Sequence, residues 1–183
     1  ARVLEYLSEG EVAPMLEQLV DRPSFSFLDW TYEWDQVLSI ADIREWRASS
    51  ARLLTSYPDH PGLLASRGLM EALDDQGSLR EFDLNIRAAM SSAVSSYSQT
   101  ENDLEPLVEY LIRRLSQFNT QAVSAVVVSC IDLGYNVQVA EEFLRANWAS
   151  GDSTMAVLQL ERVMKSSIHL FDEIQELLTE EML

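Results

Sequence analysis

Two imidazoles, one thiol and a large excess of carboxylates are the reactive groups this sequence offers. His60 and His169 are its near-neutral acid–base side chains, and they stand far apart on unrelated segments. His60 sits in Tyr57-Pro58-Asp59-His60-Pro61, where two prolines mark a turn, and a solvated turn residue is expected there. His169 precedes Asp172 and Glu173 at helical spacing, but the Glu-x-x-His pairing of carboxylate metal bundles is missing, so no metal site is expected. The single cysteine, Cys130, allows neither an internal disulfide nor a thiolate metal cluster. Its setting, AVVVSCIDL, is apolar and suits an inert buried thiol better than a nucleophile. No glycine-rich phosphate loop, nucleophile elbow, zincin motif or paired Cys-x-x-Cys occurs. The expectation is a chain that is not itself an enzyme and takes no cofactor, so that recognition is the chemistry to look for.

Charge narrows what could be recognised. Thirty acidic residues face 13 basic ones, giving a net charge of -17, and Lys165 is the only lysine. A surface of that sign repels a phosphate backbone within the screening distance, so direct nucleic-acid binding is not expected. The plain reading of the acidity is solubility, and the sharper ones are a basic protein partner, nucleic-acid mimicry or adaptation to high salt. Mimicry of nucleic acid would need carboxylates aligned on one face, whereas here they alternate with arginines. No apolar run approaches membrane-spanning length and no signal-peptide pattern is present, which points to a cytoplasmic chain without membrane contact. The sequence opens at Ala1 already in helical pattern, as a processed product or a piece of a longer protein would.

These groups need elements to hold them, and the composition favours helices. Leu, Ala, Glu, Arg and Met dominate, and alternating β-branched runs are nearly absent. The aromatic-rich stretch SFSFLDWTYEWDQVL is the sharpest case. Phe27, Trp30, Trp34, Val37 and Leu38 recur at three- and four-residue spacing, which predicts a core stripe on one helix. Tyr32 is left on its flank as a partner-facing candidate, and its acidic neighbours favour a cationic or arginine-rich peptide.

Upstream, Arg2 to Val20 reads as two short helices divided by Gly10 and Pro14, closed by Arg22-Pro23. Downstream, Asp42 and Glu45 form a capping box for a helix through Trp46 and Leu53. A helix from Leu63 to Leu73 follows the proline turn, and after DDQGS Ser78 caps another through Phe82, Ile86 and Met90. The run from Tyr57 to Met90 resembles a tetratricopeptide repeat, and the resemblance extends over about residues 43–94. It is carried by Pro58 and Pro61, Leu64, Gly68 at a close helix approach, Gly77 in the turn, and Leu79, Phe82, Ile86 and Ala89 packing back. The turn is longer than that family's, and the repeat does not recur cleanly after Tyr97. The resemblance implies a helical solenoid with a concave groove for a peptide or partner helix.

Ser95 to Asp103 is polar and aperiodic and reads as the internal boundary, dividing helical hairpins at 1–97 from a C-terminal helical subdomain at 98–183. Beyond it come an amphipathic helix through Leu104, Leu107, Leu111 and Leu115, and a helix in AVSAVVVSCIDL that ends at Gly134. Residues 122–161 resemble a ubiquitin-associated domain through Leu133-Gly134-Tyr135, Ala140, Phe143, Leu144, Gly151-Asp152 and Leu160. That resemblance implies a ubiquitin-contacting patch at Leu133, Gly134 and Tyr135. A last amphipathic helix runs through Ile168, Phe171 and Leu178.

The fold expected is therefore all-α, a tetratricopeptide-like solenoid or an irregular helical bundle. Its expected function is protein–protein interaction or scaffolding, with Tyr32, Arg67, Met70, Glu71 and Tyr135 as the partner-binding residues. The alternative is a structural accessory region of a larger enzyme, such as a nucleic-acid-dependent ATPase.

Overall fold

A computed structural model describes residues 12–22, 24–37, 43–74, 76–97, 101–116 and 120–135, which form seven α-helices and no strand. In order they are α1 (Val12–Val20), α2 (Phe27–Val37), α3 (Ile43–Ser56), α4 (Pro61–Leu73), α5 (Leu79–Ser96), α6 (Glu101–Leu115) and α7 (Thr120–Asp132). The all-α expectation holds, including a helix through the valine run of α7. The expected first helix, Asp42, residues 136–161 of the ubiquitin-associated resemblance, and the last expected helix with His169 lie outside the described residues.

Local chemistry sets the helix ends. α3 stops before Tyr57-Pro58, since a residue preceding proline is pushed out of helical geometry. α4 then opens on Pro61, whose missing N–H is one of the donors a first turn leaves unpaired anyway. Ser78 caps α5, its Oγ accepting the Glu81 N–H at 3.3 Å. The preceding turn admits only glycine, because a Cβ on Gly77 would stand 1.8 Å from the Glu71 carbonyl oxygen. α7 ends in a Schellman motif: the Tyr135 N–H reaches the Cys130 carbonyl at 2.9 Å across Gly134, whose φ is 72°.

One boundary differs from expectation. The polar segment 95–103 is helical at both ends, with α5 continuing through Ser96 and α6 starting at Glu101. Ser95 stays helical by donating its hydroxyl to the Ser91 carbonyl one turn back, at 2.7 Å. Asp103 stands in the first turn of α6, where the helix dipole favours a carboxylate.

All seven helices contribute to one buried cluster, through Leu16, Trp34, Trp46, Leu69, Ile86, Leu107 and Val126 among others. α4 lies at its centre, packed against α5 and α3 and touching α6. α1 packs on α3, α7 on α5 and α6, and α2 on α6. The α2–α6 contact joins segments remote in sequence and closes the helices around a shared core. Two glycines allow the closest approaches. A Cβ on Gly62 would meet the Trp30 ring at 2.5 Å, and one on Gly68 would meet Ile86 Cδ1 at 2.9 Å.

Candidate functional site

The aromatic stretch divides cleanly between inside and outside. Phe27, Trp30 and Trp34 are buried on one side of α2, as their spacing predicts. A buried indole needs an acceptor for its N–H, and a single hydroxyl serves both tryptophans. Ser66 Oγ accepts from Trp30 Nε1 at 3.0 Å and Trp34 Nε1 at 3.1 Å, and donates to the Gly62 carbonyl at 2.8 Å. One hydrogen given and two accepted exhaust that hydroxyl, so α2 is tied to α4 in a fixed register. Trp34 also stacks obliquely on Tyr110 of α6 at 5.3 Å and on Trp46 of α3 at 6.4 Å.

His60 is not the solvated turn residue its two prolines suggest. It is 6% exposed and caps α4, Nδ1 accepting the Leu63 N–H at 3.3 Å. The rings of Phe25, Trp30 and Tyr97 surround it at 5.3, 5.2 and 5.9 Å. Burial pushes the imidazole down from its ordinary value to about 4, against a smaller opposing effect of a backbone hydrogen bond. The local sequence announced the turn, but the rings that cover it come from three other segments.

The five partner-binding candidates are placed very differently. Met70 is fully buried and Glu71 is 6% exposed, so neither presents its side chain to a partner, contrary to expectation. The reason is the central position of α4, of which only Leu64, Arg67 and Leu73 keep partial exposure. Glu71 is employed internally: Oε1 accepts from Arg47, and Oε2 accepts the Ser78 N–H at 3.1 Å. Arg47 also donates to Asp74 at 2.8 Å, so one guanidinium joins α3 to the end of α4 beside the cap of α5. These carboxylates hold Arg47 charged above its ordinary range, the Glu71 hydrogen bond being the largest cause. A matching junction ties α5 to α7, where Arg87 contacts Asp83 at 2.9 Å and Asp132 at 2.7 Å. Arg67 is half-buried on α4 and Tyr135 half-buried beyond α7. Tyr32 is 54% exposed on α2, and no hydrogen bond or ring contact among the described residues joins it to Arg67 or Tyr135.

Tyr32 does have a companion that sequence reasoning passed over. Leu28, 65% exposed, precedes it by one helical turn. At about 100° per residue, positions 28 and 32 both fall away from the Phe27–Trp30–Trp34 stripe. The signal is therefore present in the helical projection of the sequence. Beside this pair, Arg22 contacts Glu33 at 3.3 Å and reaches Asp29 only at 4.0 Å. The Asp29 side chain is 64% exposed. The outer side of α2 thus presents a leucine and a tyrosine bordered by carboxylate.

Other chemistry is sparse among the described residues. No group of three or more His, Cys, Asp or Glu side chains is placed to hold a metal ion there. Burial raises the Cys130 thiol to about 12, which suppresses the thiolate. The cleft between Leu19, Arg22, Phe25, Asp29 and Trp30 has a volume of about 10 Å³, room for one water rather than a substrate. No described helix is long and apolar enough to cross a membrane. No family model, curated protein or solved structure matches the chain.

Proposed function

We propose that this chain is a protein-interaction or scaffolding domain of the cytoplasm, without catalytic activity of its own, which docks a basic amphipathic helix or peptide on the outer side of α2. The observation that carries this reading is the exposed pair Leu28 and Tyr32, set one turn apart beside the exposed carboxylate of Asp29. A partner helix would lay apolar anchors against the pair and place arginine or lysine over the tyrosine face and the carboxylate. The net charge of -17 favours approach of such a partner from a distance. The α4–α5 hairpin, with Gly68 at its close approach and Gly77 in its turn, supports a scaffolding role of the tetratricopeptide-like kind. Docking on α2 takes the place of a groove along α4, because Met70 and Glu71 are enclosed.

The test is capture from host lysate with the wild-type domain and with Leu28→Asp/Tyr32→Asp, washed at low and high salt. Both positions are exposed, so the double variant is expected to fold with stability changed by no more than about 1 kcal/mol. A basic partner retained by the wild type in high salt and lost by the folded double variant is the expected result. Identical partners on both proteins would overturn the reading.

A further inference from the structure

We propose that His60 is an acid-sensitive latch, whose protonation uncaps α4 and releases the pole of the molecule where the 57–61 turn meets Phe25 and Tyr97. The geometry makes the neutral imidazole the only form that fits. Nδ1 accepts the Leu63 N–H at 3.3 Å, so a proton on that atom would set donor against donor. The cation would also stand at the N-terminal end of α4, where the helix dipole opposes positive charge. Phe25, Trp30 and Tyr97 leave the ring 6% exposed, so water cannot solvate the charge without displacing them.

Among the described residues, no charged group enters among the causes of the His60 shift. The ionisable neighbours are Tyr57 and Asp59 on its own turn, Tyr97 at the end of α5, and Arg22 and Asp29 flanking the Phe25 loop. Asp59 and Asp29 are exposed, and neither they nor Arg22 enters among the causes of the His60 shift, which is dominated by burial. The latch also has something to release. The His60 N–H reaches the Tyr57 carbonyl at 3.2 Å, the Ser92 hydroxyl donates to the Asp59 carbonyl, and Trp30 lies over Gly62 at the start of α4. A cap that fails therefore loosens the turn, the start of α4 and the ring that anchors α2 together.

The sign follows from linkage. A histidine whose folded value lies below its unfolded one contributes stability that is complete above pH 6.5 and is lost as pH falls towards 4. Carboxylates titrate in the lower part of that window as well, so the experiment must separate them. Tryptophan emission and helical circular dichroism would be followed from pH 7.5 to 3.5 for the wild type and for His60→Asn, which keeps a capping acceptor but cannot titrate. The expected result is a reversible emission change in the wild type, with a midpoint at least about one pH unit higher than in His60→Asn. Coincident midpoints would overturn the proposal. In parallel, the imidazole signals of the wild type would be titrated by NMR, with His169→Gln to assign them. This second measurement holds even if His60→Asn fails to fold. A His60 that titrates near 6.5 with no accompanying tryptophan change would equally overturn it.

Discussion

At the scale of single residues, the buried polar groups give the sharpest expectations. Ser66→Ala removes the one acceptor shared by Trp30 and Trp34 and leaves two buried indole N–H groups unpaired. At about 1–3 kcal/mol for each orphaned group, the loss should reach about 2–6 kcal/mol, read as a lower urea midpoint at unchanged slope. A loss below about 0.5 kcal/mol would show that the fork is not a structural tie. Met70→Ala, first expected to weaken partner binding, should instead cost about 2–5 kcal/mol of stability, because it empties a fully buried site at the centre of the bundle. His60 should make stability fall with acid: at pH 5 the shift from 6.5 to about 4 corresponds to about 2 kcal/mol lost relative to pH 7.5, measured as the difference between wild type and His60→Asn. The tryptophan stripe was legible in sequence because its spacing is a property of one helix. The burial of His60, Met70 and Glu71 was not, because it is imposed by Phe25, Tyr97, Arg47 and other residues remote in the chain.

At the scale of elements, the signals read correctly were those written within a few residues of a helix end. Pro58 and Pro61, the Ser78 cap and Gly134 each act through local backbone chemistry, and each marks an observed boundary. The polarity of 95–103 predicts a loop or boundary throughout, whereas helix extends into both ends of it, Ser95 satisfying its hydroxyl on the preceding helical turn. Gly134→Ala tests the C-terminal cap of α7 directly. Its φ of 72° with no neighbour within 4 Å means the cost is conformational alone, about 1–2 kcal/mol, and hydrogen exchange should accelerate over the last turn of α7. Glu71→Ala, by contrast, removes the acceptor of the Ser78 N–H and leaves Arg47 with Asp74 alone, and should loosen the tie between α3 and the α4–α5 junction. Arg47→Ala should cost more, since it strips the charge partner from a carboxylate only 6% exposed, whereas the Arg47 left by Glu71→Ala is 36% exposed and keeps Asp74.

At the scale of the whole molecule, the packing of the described helices buries Phe27, Trp30 and Trp34 and leaves Leu28 and Tyr32 of α2 exposed. α2 packs on α6, and α4 packs on α3 and α5 and touches α6, which encloses Met70 and Glu71. An acidic domain with an exposed leucine and tyrosine is suited to a basic partner, and the attraction should weaken with salt while the apolar anchors persist. The most direct test replaces Tyr32 with a benzophenone amino acid and irradiates the protein in its host, using the equivalent replacement of Leu84, 50% exposed on α5, for comparison. A discrete crosslink from position 32 to one basic protein, absent from position 84, is the result expected of a docking face on α2. Crosslinks from position 84 alone, or the same products from both positions, would contradict it.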